Sequence, residues 1–434
     1  MKSCSDHWLP TREYGLRRLR EFVPRAGRDY ARLRNFDDGP GRHSHVSSLS
    51  PWIRHRLVLE EEVISAVLRQ HSLEQAEKFV QEVCWRTYWK GWLELRPGVW
   101  EQYRERVSRM VGTLSDDAGL RGQWDAATGG ETGIECFDAW AGELVETGYL
   151  HNHARMWFAS IWIFTLGLPW ELGADYFLRH LLDGDPASNT LSWRWVAGLQ
   201  TPGKTYLARP GNISRYTQDR FRPGSELAVQ APPLRSPAPP APADPPVSDV
   251  PDHALPTGLL ITEEDLHPDY LLEDGVNFVD CAVLQTTAGR SPLPVSARVF
   301  DFVDGALDDA RSRIGRRLGR SASPVQILRT ASDALDWARS LGLRQVVTAY
   351  PPTGPTAEAV SDMQSLFSTH GIRLVQILRE WDKAAWPHAT HGFFRFRRHI
   401  PRIIETVRAN KRPSGSGWDH PAVVGATGQK HQRL

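Results

Sequence analysis

Residues 147–197 read TGYLHNHARMWFASIWIFTLGLPWELGADYFLRHLLDGDPASNTLSWRWVA. Asn152, Arg155, Asp183, Asp185 and Asn189 stand there among Trp, Phe, Met and Leu. Each would cost several kcal/mol if buried without a partner, so each needs one. Arg155 and Asp183 suit a buried guanidinium–carboxylate pair, planar and bidentate, that offers a flat polar surface to a flat ligand; an ordinary interhelix salt bridge satisfies the same two residues. The run 156–170 is interrupted by Ser160 and Thr165 and is shorter than the roughly 20 residues of a membrane span, so a buried helix is expected.

Apolar residues recur at helical spacing at Leu16, Leu19 and Val23 and again at Val63, Ile64, Val67 and Leu68. Ser72 followed by Gln75 is a capping-box pattern, which predicts a helix starting at Leu73. That helix carries an apolar stripe (Ala76, Phe79, Val80, Val83) and an aromatic one (Trp85, Tyr88, Trp89, Trp92). Two more helices are predicted over 135–149 and 151–166, and Pro169 suits the first turn of another. About ten prolines then crowd between Ala231 and Pro256, a composition that favours extended chain and cannot bury a core. Beyond it, β-type runs at 299–303, 345–350 and 372–378 alternate with helical stretches at 305–318, 330–341 and 355–370, which argues for a small parallel α/β layer.

The expected organisation is therefore mainly α: a helical domain over 1–225, a Pro-rich linker over 226–257, a small α/β domain with a basic, aromatic tail over 258–412, and a disordered tail over 413–434. The 434 residues suffice for such a multi-domain chain. Fifty-two Lys and Arg against fifty-one Asp and Glu leave a net charge of +1, which excludes a polybasic nucleic-acid wrapper and leaves only local basic patches for such contacts. Cys4, Cys84, Cys136 and Cys281 form no C-x-x-C pair and suit a reducing compartment. The first ten residues do not read as a secretory signal. A cytoplasmic protein without a membrane segment is expected, and oligomeric state is left open.

The runs GYLHNHARM, DGDPASN and WRW, preceded in order by HVSSLSPWI at 45–53, EVCWRTYW at 82–89 and ETGIECFDAW at 131–140, resemble the FAD-binding helical domain of the photolyase/cryptochrome family. The resemblance covers roughly residues 30–222 and implies a U-shaped FAD buried among helices. By this match Ser47, Leu49 and Ser50 fall in the loop that holds the diphosphate, and Arg86 falls at another phosphate-side position. Arg155 and Asp183 flank the isoalloxazine, Asp185 lies beside it, and Asn189 faces flavin N5; Asn152 also falls among the cofactor contacts. Trp193 and Trp170 match the first two members of the family's electron-transfer chain. The third position, near Leu114, carries no aromatic residue.

The same resemblance implies a substrate. The positions that surround a flipped cyclobutane pyrimidine dimer in photolyases read Glu82, Trp85, Asn152, Met156 and Trp195, all of the repair type; Glu82 would hydrogen-bond a dimer carbonyl and the indoles would stack on extruded bases. The expected function is thus a lyase that splits such dimers in damaged DNA by light-driven electron transfer from reduced FAD. The alternative is a blue-light photoreceptor of cryptochrome type without repair. The chain departs from the pattern at Val46, Tyr149, His153 and the G-E-T-G of 130–133, mostly losing polar or basic contacts. The family's α/β domain, which can hold an antenna pigment, is not in its usual place before the helical match, giving little ground to expect that pigment. The α/β pattern near 275–380 reads either as a permuted relative of that domain or as an unrelated one. The segment EWDKAAWPHATHGFFRFRRHIPRII at 380–404 reads either as a backbone-binding surface or, preferably, as aromatics docked on the helical domain with arginines in solvent. His388 and His391 lack further ligands, so no metal site is expected.

Overall fold

The computed structural model describes residues 8–319 and 326–410; the tail assigned to 413–434 lies outside them. Twelve helices fill the first half: α1 (Arg12–Phe22), α2 (Arg28–Leu33), α3 (Ser50–Arg54), α4 (Glu60–Leu68), α5 (Leu73–Glu94), α6 (Gly98–Asp116), α7 (Ala118–Gly129), α8 (Glu135–Thr147), α9 (Asn152–Ser160), α10 (Trp170–His180), α11 (Pro186–Val196) and α12 (Pro210–Tyr216). The predicted capping box at α5 is present: Ser72 Oγ accepts from the Gln75 N–H at 3.2 Å, and Gln75 Oε1 accepts from the Ser72 N–H at 3.2 Å. Gly148, at φ 70°, ends α8 in the left-handed conformation that only glycine adopts freely. A π-helical turn, Ile161–Thr165, extends α9 as far as the sequence suggests. Pro169 stands just before α10 rather than inside its first turn.

Between Tyr216 and Thr257 the described chain has no helix or strand, as its prolines dictate, yet it is tied down along its length. Leu234 N–H donates to Ala197 O (3.0 Å), Ala243 N–H to Leu95 O (2.8 Å) and Asp249 N–H to Gln376 O (3.0 Å), so the segment straps the helices to the sheet.

The second half holds β1 (Thr257–Thr262), α13 (Asp269–Glu273), β2 (Phe278–Leu284), α14 (Ala297–Arg317), β3 (Gln326–Leu328), α15 (Ala331–Ser340), β4 (Gln345–Ala349), α16 (Pro355–Thr369), β5 (Arg373–Ile377), α17 (Glu380–Ala385), α18 (Phe393–Phe396) and α19 (Ile400–Asn410). The five strands are parallel in the order β3-β2-β1-β4-β5. One expectation is corrected here: 299–303 is not a strand but the start of α14. The alternation of VFDFV suggested β, but the buried set Val299, Phe302, Val303, Ala306, Leu307, Ala310 and Ile314 follows the 3.6-residue period, which decides for helix. The strands over 345–349 and 373–377 stand as expected, whereas β1, β2 and β3 were not foreseen.

One face of the sheet joins the apolar core of the helical half, and the other packs with α15 and α16 as a separate cluster. The order reverses between β1 and β4, where doubly wound sheets open a crevice at the strands' carboxyl ends. Here the loop after β1, Glu263-Glu264-Asp265, is buried against the helical half instead of facing solvent. The Leu266 N–H donates to His55 O at 3.0 Å, and His55 Nδ1 meets Glu263 O at 2.7 Å.

Candidate functional site

Helix α11 packs on both α5 and α9, which brings three sequence-predicted sets together. Helix α5 carries Glu82, Trp85 and Arg86, α9 carries Asn152, Arg155 and Met156, and α11 carries Asn189, Trp193 and Trp195. Asp183 and Asp185 stand on the loop entering α11.

The expected pair forms: Arg155 Nη2 donates to Asp183 Oδ2 at 2.9 Å, while Arg155 Nε donates to Leu150 O at 2.9 Å. Arg155 therefore spends its fork on one carboxylate oxygen and one carbonyl, and Asp183 Oδ1 is buried without a hydrogen bond. Burial raises the Asp183 pKa, but the Arg155 and Arg86 guanidiniums outweigh it and hold the carboxyl below its usual value. Asp185 caps α11, its Oδ1 accepting from the Ser188 N–H at 2.7 Å. Its Oδ2 lies 3.5 Å from Lys90 Nζ, 3.7 Å from Arg86 Nη1 and 3.9 Å from Arg54 Nε. These three cations hold Asp185 well below the ordinary range despite complete burial.

Sequence reasoning missed that the second half completes this cluster. Glu264, from the loop after β1, takes Arg54 through two bonds of 2.7 and 2.6 Å and accepts from Lys90 at 3.3 Å. Four cations (Arg54, Arg86, Lys90, Arg155) thus face three carboxylates (Asp183, Asp185, Glu264), and Arg86 Nη1 is buried without a hydrogen bond. A surplus positive charge with an orphaned donor fits an anionic group such as a diphosphate, and the orphaned Asp183 oxygen fits a ligand that carries a donor. The residues present therefore fit FAD.

The predicted phosphate loop is partly suited to its task. Ser48 sits at φ 50° with its Oγ buried and unpartnered, and Ser47 and Ser50 are half-buried. Leu49 is fully buried, and its N–H is taken by Ser47 Oγ at 3.4 Å, so its side chain serves the core. Asn189 donates from Nδ2 to Ala174 O at 2.7 Å, which fixes the amide against α10.

The five substrate-side residues are less free than their types suggest. Glu82 is ion-paired with Arg34, and Trp85 is stacked on Phe393 with centroids 3.7 Å apart and planes 11° apart. Asn152 is exposed, Met156 is half-buried, and Trp195 is stacked on Tyr206 at 5.8 Å beside an open cleft of about 640 Å³ lined by Tyr206, Arg209 and Asn212. His153, which departs from the family pattern, stacks on Trp157 at 4.1 Å and bonds Asn35 O and Tyr206 Oη.

Trp193 and Trp170 are both buried. Trp193 packs edge-on to Phe177 (5.1 Å) and Trp162 (6.2 Å), while Trp170 meets Tyr103 (5.7 Å), which meets Trp100 (5.4 Å). Tyr103 and Trp100 lie three residues apart on α6, a spacing that could have marked them in the sequence as one face with Leu114.

No described helix is long and apolar enough to cross a membrane. Residues 79–220 match the family model described as the FAD binding domain of DNA photolyase. Among curated relatives, a deoxyribodipyrimidine photo-lyase of Alkalihalophilus pseudofirmus is 30% identical over 214 residues, covering 48% of this chain and 42% of the relative. That of Streptomyces griseus is 36% identical over 157 residues, covering 36% and 33%. Among solved structures, a bacterial class III photolyase from Agrobacterium tumefaciens gives a TM-score of 0.42 at 27% identity, covering 50% of this chain and 45% of that one. A cryptochrome from Synechocystis gives 0.39 at 24% identity, covering 48% and 43%. The chain spans less than half the length of these relatives. Over residues 79–220, a span that runs from within α5 to just past α12 and includes the Arg155–Asp183 pair, the chain is similar to the FAD binding domain of DNA photolyase.

Proposed function

We propose that this chain is a photolyase-type flavoprotein that repairs pyrimidine dimers in DNA under light. The observation that carries the reading is the cluster of Arg155, Arg86, Arg54 and Lys90 around Asp183, Asp185 and Glu264, with orphaned polar atoms and one cation in excess. Arg155 and Asp183 would hold the flavin ring edge, Asn189 would face it from α11, and Arg86 with the 47–50 loop would take the diphosphate. Once bound, reduced and excited, FAD would supply the electron. Glu82 would donate to a dimer carbonyl after leaving Arg34, and Trp85 and Trp195 would stack on the extruded bases. Asn152 and Met156 would line the same cup. Trp193 and Trp170 would carry electrons from the surface to the flavin.

A second reading, a blue-light photoreceptor, is favoured by the cover on Trp85. Phe393 occupies one ring face and Arg34 neutralises Glu82, so two of the five cup residues are engaged within the chain itself. Blue illumination of the flavin-loaded protein, starting from oxidised FAD with an external reductant present, together with a thymine-dimer oligonucleotide separates the two. Dimer loss that disappears in Glu82→Ala supports repair, and flavin photoreduction with intact dimers supports the receptor.

A further inference from the structure

The segment 391–402 projects from the α/β half onto α5. Phe393 and Phe396 are buried against Trp85 and Tyr88, and the Tyr88 hydroxyl donates to His391 O at 2.8 Å, so the segment is anchored. Between the two anchors Phe394 is 72% exposed, the one aromatic among the strongly exposed large apolar side chains of the described residues. Around it Arg395, Arg397, Arg398 and Arg402 are all exposed. None of the ion pairs among the described residues uses them, although Arg34, Arg56 and Arg379 on neighbouring elements are each paired with a carboxylate. Arg397 lies over the Phe394 ring at 5.1 Å. In a chain of net charge +1, four guanidiniums within eight residues, none of them in an ion pair among the described residues, are a local concentration of charge.

We propose that Phe394 with Arg395, Arg397, Arg398 and Arg402 forms a strand-tracking DNA surface, with the arginines on successive phosphates and Phe394 under a base. It rests on the reading that DNA is the substrate, and it names the contact that leads a strand to Trp85, which lies one residue away through Phe393. Interleaved aromatic and guanidinium groups suit a single strand, whose bases each offer a stacking face. A lipid surface suits the segment poorly. The apolar face of α19 (Ile400, Ile403, Ile404, Val407) is already buried, which leaves a single aromatic ring for insertion.

The test uses the full flavin-loaded chain and fluorescence anisotropy with a labelled, undamaged single-stranded oligonucleotide between 50 and 200 mM salt. The variant with all four arginines changed to glutamine is expected to lower the slope of log K against log salt by about 3, at roughly 0.7 per phosphate contact. The corresponding four-lysine variant is expected to restore it. Phe394→Ala is expected to weaken binding at least about fivefold with the slope unchanged. Wild-type slope and affinity in the four-glutamine variant would overturn the proposal. So would poly-glutamate or phosphatidylserine vesicles showing this arginine dependence while DNA does not. Failure of dimer cleavage by the wild type would overturn the repair reading alone, because this assay uses undamaged DNA.

Discussion

Gly173 shows how closely single residues are specified around the candidate site. A Cβ there would stand 2.4 and 2.6 Å from the Trp193 ring and 2.9 Å from Trp162, so α10 reaches α11 only because this residue has no side chain. Gly173→Ala is expected to cost about 1–3 kcal/mol in urea unfolding, because two packed indoles must shift. Asp183→Asn leaves the Arg155 guanidinium without its carboxylate. Since Arg155 is partly exposed, the cost is expected at the lower end for a broken pair, about 3 kcal/mol. The pH dependence follows in sign. A carboxyl whose pKa is depressed by folding stabilises fully above its unfolded value, about 3.9, and loses that contribution as pH falls through its folded value. The gap between wild type and Asp183→Asn in thermal unfolding should therefore be constant at neutral pH and close below about pH 4.

Among the elements, α18 has the greatest functional consequence. Phe393 covers Trp85, so under the repair reading Phe393→Ala should raise the affinity for a dimer-containing oligonucleotide without altering the flavin spectrum; unchanged affinity would show that Trp85 binds bases without uncovering. This is also the scale at which the limits of sequence reading are clearest. Helix α5 was legible because Ser72 and Gln75 announce its start, and its two stripes keep the helical period over 22 residues. Helix α14 was misread because five residues, VFDFV, fit both periods and only the continuation through Ala306 and Ala310 separates them. Strand β1, fully buried, offers no alternation to read. The Arg155–Asp183 pair was legible because both residues interrupt an apolar run. Glu264 was not, because its partners Arg54 and Lys90 are more than 170 residues away and no local pattern links them.

At the scale of the molecule, the two halves share charge as well as apolar core. Glu264 and Asp265 reach Arg54, Lys90 and Arg379, and Arg379 in turn reaches Glu61. Glu264→Gln should therefore destabilise both halves together, seen as one cooperative transition shifted to lower temperature rather than a new early one. Two half-buried histidines add an acid sensitivity. Burial, with Arg179 beside it, lowers His180 to about 4, and burial with Arg12 and Arg313 lowers His267 to about 2. Each contributes stability that is complete above the unfolded value near 6.5 and is lost as pH falls toward the folded one, at about 1.4 kcal/mol per pH unit. The urea midpoint should thus fall between pH 7.5 and 5, and His180→Gln and His267→Gln should each flatten that fall.

If the helices around Arg155 and Asp183 hold FAD, the purified chain incubated with FAD keeps the flavin through gel filtration, and its visible absorption spectrum reports this. Retained flavin absorption at about one FAD per chain, lost in Arg155→Ala and Asp183→Ala variants that still unfold cooperatively, is the predicted result. A wild-type chain that emerges folded and colourless would show that these helices do not hold FAD.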